Sequence, residues 1–401
     1  MFRHGILACS LLIAALAAAS VQGEEKPAVD IGALVRAFLA SDLDTCDKAL
    51  DAIMVHEPEW SDIQRALKAT GRKYEPGSLL EAQVSAEGAP YSFFFAVPKG
   101  YDPAKRYPMI VSLTYKEGTA ELAKQCFSTY WQVAVDEGYV VIQLPTREKK
   151  LFHQGGGYVI MPAVRWALVN LAIDADRIYL AGASYGGMGS MWFATQRADI
   201  FAGCIVYPGS FPGDDAGLVA NFRYLPMLFW VGEKGQAIWL KGTKKAVEDL
   251  KAVGGSAESI IAKGAGHLPD VPGGFDVKAT FLKFLVGKKN ARPAKWTWHF
   301  VDGAFNLSRN VEIMDFEDTT VEFEATSGNI AIKGYDKPMF VYLTDANLKD
   351  GRVSIAVDDA EVFNDKPSQD VRLRLMALYA GLTGGNYKYC VEAKKGAKEE
   401  E

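Results

Sequence analysis

Between Ile31 and Ala69 the apolar residues recur at helical spacing: Leu34, Val35, Phe38 and Leu39, then Leu50, Ile53 and Met54, then Ile63, Ala66 and Leu67. Interruptions at Asp44 and Pro58 divide this pattern into a small helical segment, residues 24–77, closed by the turn-rich run Gly71-Arg72-Lys73-Tyr74-Glu75-Pro76-Gly77. From there to residue 290, short β-rich apolar runs alternate with amphipathic stretches. Strands are expected at 93–97, 109–113, 139–144, 178–181, 204–207, 227–231 and 259–262, with helices around 120–136, 160–171, 188–196, 243–253 and 277–285. Such alternation predicts an α/β domain, a mostly parallel sheet with helices on both faces. After Asn290-Ala291-Arg292-Pro293 the period changes to two, as in Val321-Glu322-Phe323-Glu324-Ala325 and Val353-Ser354-Ile355-Ala356-Val357. Residues 291–393 therefore read as an antiparallel β domain, and 394–401 as a charged tail.

The first 23 residues stand apart. Arg3 and His4 precede an apolar run from Ile6 to Ala19, followed by Ser20-Val21-Gln22-Gly23 and then acidic Glu24 and Glu25. This is the pattern of a secretory signal peptide, with Cys9 discarded along with it. Its apolar run is too short to span a bilayer, and no later stretch reaches the roughly 18 to 20 apolar residues a membrane helix needs. An exported chain without stable membrane insertion, periplasmic or extracellular, is expected. A formal net charge of −5 with lysines scattered among acids gives no basic surface for a nucleic-acid backbone. Of the four remaining cysteines, Cys46, Cys126, Cys204 and Cys390, none has metal-site spacing, and Cys204 inside an apolar run reads as a small hydrophobe. Neither an essential disulfide, a metal nor a cofactor is expected.

Candidate chemistry centres on Gly182-Ala183-Ser184-Tyr185-Gly186, a nucleophile-elbow pattern between the apolar run Ile178-Tyr179-Leu180-Ala181 and the helical stretch that opens at Met188. A serine held at positive φ brings the chain so close to itself that the positions two before and two after it need glycine. Its hydroxyl needs a base, and the chain order of such triads places a histidine downstream of the serine. His267, in Gly264-Ala265-Gly266-His267 directly after the last expected strand, fits; His4, His56 and His153 precede the serine and His299 falls in the β domain. For the acid, Glu233 lies in Gly232-Glu233-Lys234-Gly235, with Asp214 and Asp215 after the preceding strand as alternatives. The oxyanion donors expected are the amide of Tyr185 and one from the loop after strand 109–113, at Thr114 or Tyr115. His153-Gln154-Gly155-Gly156-Gly157 is either a plain connector or part of the substrate entrance.

Residues 91–289 resemble the polyhydroxybutyrate depolymerase and feruloyl esterase branch of secreted α/β-hydrolases, and more widely the prolyl-oligopeptidase-like serine hydrolases. The resemblance rests on Val97-Pro98-Lys99-Gly100-Tyr101-Asp102, on Asp174 to Gly182 leading into Ser184-Tyr185-Gly186-Gly187-Met188, and on Gly264-Ala265-Gly266-His267. It implies an α/β-hydrolase fold and an ester substrate, small or glycan-linked, cleaved through Ser184 and His267. Two positions depart from the family pattern: Thr114-Tyr115 replaces the usual His-Gly, and Gly235 replaces the usual aspartate. Three functions therefore stay open: ester hydrolysis, peptide hydrolysis, and binding on a catalytically silent scaffold.

Overall fold

A computed structural model describes residues 29–394 except 42–44, 69–72, 148–149, 211–215, 270–274, 301–306, 315–317 and 380–386. The segment read as a signal peptide, residues 395–401 of the charged tail, and the alternative acids Asp214 and Asp215 lie outside the described residues. Eight strands form the principal sheet: β1 (Leu80–Ala86), β2 (Ala89–Ala96), β3 (Tyr107–Leu113), β4 (Val140–Leu144), β5 (Ile173–Gly182), β6 (Gly203–Val206), β7 (Met227–Gly232) and β8 (Ala257–Ala262). Their order is β1-β2-β4-β3-β5-β6-β7-β8. β1 and β2 pair antiparallel, β2 meets β4 antiparallel, and every pair from β4 through β8 is parallel.

Strands of a parallel sheet are covered on both faces, and β4, β6 and β7 are buried along their whole length. Alternate side chains divide the core. Met109, Val111, Leu113, Ile178, Leu180, Met227 and Phe229 face the helices Ile160–Asn170, Tyr185–Arg197 and Ala237–Ala252. Ile110, Tyr179, Ala181, Leu228 and Trp230 face the other side, against Cys126, Trp131 and Val135 and against Phe281 and Leu285. The period of two along each strand is thus what fixes helices on both faces.

The C-terminal strands form two smaller sheets. One has the order β10 (Leu307–Ser308), β11 (Val311–Ile313), β14 (Met339–Leu343), β17 (Tyr389–Ala393); the other runs β16 (Ala360–Asp365), β15 (Val353–Val357), β13 (Asn329–Lys333), β12 (Thr319–Thr326), β9 (Lys295–Phe300). Among the described pairs of these two sheets, all are antiparallel except β13 with β15. Trp296, Trp298, Phe323 and Val341 continue the same apolar core as the principal sheet. The Asn221 side chain seals the junction, donating to the carbonyls of Thr195 (2.6 Å) and His299 (2.8 Å) while accepting from the His299 amide (2.8 Å).

The helices Ile31–Ala40, Cys46–Met54 and Trp60–Lys68 pack with a fourth, Val371–Tyr379, in a separate apolar cluster that includes Val169. Cys46, Cys126, Cys204 and Cys390 are buried, and none of them is joined in a disulfide. No helix among the described residues is long and apolar enough to cross a membrane.

Candidate active site

β5 ends at Gly182 and the next helix begins at Tyr185, so Ser184 occupies the corner between them. Its backbone is left-handed, φ 53° and ψ −116°, a conformation that side chains other than glycine rarely adopt and that the surrounding packing must enforce. That packing is visible at the flanking glycines. A Cβ on Gly182 would lie 2.1 Å from the Gly186 carbonyl oxygen, one on Gly186 2.3 Å from the Leu113 carbonyl oxygen, and one on Gly187 2.4 Å from that of Pro208. The elbow closes only because these three positions lack side chains.

His267 arrives on the loop after β8. This loop is tied to the one after β7 by Glu233 N–H to Ala262 O (3.0 Å) and Lys234 N–H to Ala265 O (2.9 Å). A Cβ on Gly232 would fall 1.8 Å from the Gly266 carbonyl oxygen, so the histidine loop lies directly on that glycine. The outcome is contact: His267 Nε2 stands 2.8 Å from Ser184 Oγ, across 83 residues of chain. The serine is buried and the imidazole half-buried. Burial, and secondarily the positive charge of Lys116, hold the His267 pKa below its ordinary value. The ring is therefore neutral at pH 7, the state in which Nε2 accepts the serine proton.

The expected acid is not brought to the imidazole. Glu233 is exposed, and its Oε2 accepts from the Gly264 amide at 2.9 Å, bracing the turn before His267. The Nδ1 of His267 is buried with no hydrogen-bond partner among the described residues. At Gly235, where the family pattern has aspartate, a Cβ would stand 3.8 Å from the His267 Cα.

Of the two residues considered for the second oxyanion donor, Thr114 is spent. Its amide donates to Leu144 O (3.2 Å), its hydroxyl donates to the same carbonyl (2.7 Å), and it accepts from Gln143 Nε2 (2.8 Å). The amides of Tyr115 and Tyr185 donate to no described residue. Register places them together, because Leu113 pairs with Gly182 across β3 and β5.

His153 lies on the rim, its ring centroid 6.1 Å from that of Tyr185. Burial lowers its pKa as well. Tyr185 continues to Trp239 (6.4 Å), and Trp239 to the His267 ring (5.5 Å), so aromatic faces flank the imidazole. Trp239 escaped the sequence reading because it sits in an ordinary amphipathic helix; the signal was its place at the start of the helix after β7. Among the described residues no group of three or more His, Cys, Asp or Glu side chains is arranged to hold a metal ion.

Residues 160–211, which span the elbow, match the prolyl oligopeptidase family. The chain has the α/β-hydrolase fold. Acetylxylan esterase A of Emericella nidulans is 31% identical over 157 residues, 36% of this chain and 51% of that protein. Dipeptidyl-peptidase 5 of Aspergillus oryzae is 32% identical over 140 residues, 30% of this chain and 19% of that protein. The chain thus spans about half the length of the esterase and a smaller part of the peptidase. A thermostable esterase of known structure superposes with a TM-score of 0.43 at 18% identity, covering 53% of this chain and 63% of that one.

Proposed function

We propose that this chain is an exported serine hydrolase that cleaves carboxylic esters, with Ser184 as nucleophile and His267 as general base. The observation that carries the reading is the 2.8 Å contact between His267 Nε2 and Ser184 Oγ at a left-handed elbow. The imidazole takes the hydroxyl proton as Oγ attacks the ester carbonyl, and the carbonyl electrons move onto its oxygen. The amides of Tyr185 and Tyr115 receive that oxyanion; each such donor is worth about 3 kcal/mol of transition-state stabilisation. Collapse expels the alcohol, protonated by the imidazolium, and water releases the acyl group by the reverse sequence.

The acetylxylan esterase relatives support an acyl group attached to a saccharide as the substrate class, and the resemblance to feruloyl esterases supports the same class of glycan-linked ester. The 1–23 leader supports export. The domain limits read from the sequence accompany this proposal: a helical segment to residue 77, a catalytic domain over 78–290 and a β domain to 393. Purified protein is expected to release p-nitrophenol from p-nitrophenyl acetate and to take a fluorophosphonate label on Ser184. Absence of both, in folded protein, defeats the reading and leaves the silent binding scaffold that the placement of Glu233 would suit.

Peptide hydrolysis is the second reading, favoured by the family match at 160–211 and by the dipeptidyl-peptidase relatives. Dipeptide nitroanilides separate the two. Turnover of those substrates with inertness towards acetyl esters assigns the peptidase.

A further inference from the structure

A cleft of about 580 Å³ opens between the principal sheet and the C-terminal sheets. Ala175 and Ile178 line it near the amino end of β5, whereas Ser184 lies beyond the carboxyl end of that strand. From Ile178 to Ser184 is six residues of extended chain, roughly 20 Å. We propose that this cleft is a second binding site, for a small hydroxylated carboxylate of uronic-acid size, with the Arg309 guanidinium receiving the carboxylate.

The argument begins with a charge. Among the described residues four charged side chains line the cleft, and three of them are paired. Asp199 is held by Arg197 through both oxygens (3.0 and 3.2 Å), Arg292 is bound to Asp176, and Asp345 is bound to Lys388 and, at 3.0 Å, to Tyr389. Arg309 is the exception. It is 7% exposed, and its guanidinium forms no ion pair with a described carboxylate; the Asp199 carboxylate, which accepts from the Arg309 backbone amide at 3.1 Å, acts on its charge but is held by Arg197. Its Nη1 donates to the Ala291 carbonyl (3.0 Å), and its Nε is buried with no acceptor. The rings of Tyr224 at 5.1 Å and Trp298 at 6.0 Å offer π faces, which return only part of the hydration that burial removes. Arginine does not escape by losing its proton in any physiological range. A buried guanidinium beside a cavity, with its Nε not hydrogen-bonded, is suited to receive an anion.

The backbone supports the same conclusion. Arg309 and Asn310 join β10 to β11, and Arg309 has φ 53° at the first central position of the turn, where such hairpins ordinarily carry glycine. Hairpin tips usually face water, but both residues here are buried and line the cleft. Asn290 and Asn310 line the same cavity with their Nδ2 atoms already donating to the carbonyls of Asp199 and Tyr342, and Asn347 Oδ1 accepts from the Thr344 amide and hydroxyl, which leaves the amide oxygens of Asn290 and Asn310 and the Asn347 Nδ2 for a ligand. These pair with hydroxyls, while the guanidinium fork matches a carboxylate with two parallel hydrogen bonds. The volume lies within the range of small-molecule sites.

Isothermal titration calorimetry of the full chain with sodium D-glucuronate and with D-glucose tests this. Glucuronate is expected to bind saturably at one site and to raise Tm, and glucose at least tenfold more weakly. Arg309→Gln is expected to weaken glucuronate at least tenfold, about the worth of one charge-assisted pair. Should that variant not fold, Ser327→Trp, a substitution at an exposed residue lining the cleft, fills it and is expected to abolish binding while leaving Tm unchanged. No saturable glucuronate binding, equal binding of glucose, or unaltered binding in folded Arg309→Gln or Ser327→Trp each overturns the proposal.

Discussion

Substituting Gly235→Asp asks whether the imidazole lacks an orienting carboxylate. A Cβ at 235 meets the Gly232 carbonyl oxygen at 3.1 Å and that of Gly266 at 3.4 Å, so the neighbours must give by only a few tenths of an ångström. Gly235 is absent from the left-handed glycines, so the new residue incurs no φ penalty. The same Cβ stands 3.8 Å from the His267 Cα, with the carboxylate one carbon further out and the unpartnered Nδ1 as its target. A hydrogen bond to a charged acceptor contributes about 1.5 to 3 kcal/mol, or roughly 10- to 100-fold in kcat/KM. The ceiling is the roughly 10⁴-fold effect of a well-placed triad aspartate in serine proteases. A second, independent readout comes from pH. His267 is held below about 6.5 by burial and Lys116, so the wild-type base stays neutral through that pH and the rate falls only on further acidification. An added carboxylate favours the imidazolium, and the acid limb of kcat/KM is expected to move upward. The assay is p-nitrophenyl acetate hydrolysis from about pH 4 to pH 9, with thermal melting to verify the fold. Unchanged kcat/KM together with an unmoved limb, in a folded variant, refutes the reasoning: the imidazole would then be served already.

Ser184→Ala is expected to abolish fluorophosphonate labelling and to lower kcat by several orders of magnitude, with melting temperature preserved within a few degrees; retained labelling at another residue would displace Ser184. Glu233→Gln keeps an oxygen that accepts from the Gly264 amide and removes only the charge, so kcat/KM is expected to fall less than about tenfold, and a loss near 10⁴-fold would return Glu233 to the triad. Gly186→Ala drives a methyl into the Leu113 carbonyl, and a destabilisation of at least about 3 kcal/mol is expected by chemical denaturation. Lys116→Gln removes a positive charge acting on His267 and is expected to raise the acid limb, less than Gly235→Asp does because Lys116 is exposed and screened.

Strands buried on both faces announce themselves as unbroken apolar runs, which is why seven strands of the principal sheet are legible in the sequence to within a few residues. β1 escaped that reading. It is an edge strand in which Leu80, Ala82, Val84 and Ala86 alternate with Glu81, Gln83 and Ser85; two of the four inward residues are alanine, so the hydrophobic contrast rests on Leu80 and Val84. Its turn, Glu87-Gly88 with φ 50° and 71°, was the signal available. The helix Val371–Tyr379 fell within the stretch read as β because Val371-Arg372-Leu373-Arg374-Leu375 alternates with period two. Its helical state depends on partners far away in sequence: Leu375 and Tyr379, four apart, join the N-terminal cluster, and Arg374 lies 3.7 Å over the Trp60 ring. The local cue was the Asp370 side chain accepting from the Leu373 amide, an N-cap.

The same distinction separates the legible half of the site from the other half. Ser184 and His267 are marked in the sequence because the backbone around them is constrained: glycines at 182, 186 and 187 are the only residues that let the elbow close, and Gly232 is the only residue that admits the histidine loop. Such demands leave a residue-type signature at fixed offsets. A triad acid makes no comparable demand on its own backbone, since a carboxylate from any loop at this sheet edge meets Nδ1 equally well provided it reaches. Glu233 had the expected chain position but the wrong direction, its side chain turning back to the Gly264 amide of the loop it braces. Chain position predicts a strand end; it does not predict which way a flexible side chain leaves it. Orientation at this edge is set by which amides need acceptors, and Gly264 claimed the one carboxylate that Gly232-Glu233-Lys234-Gly235 supplies.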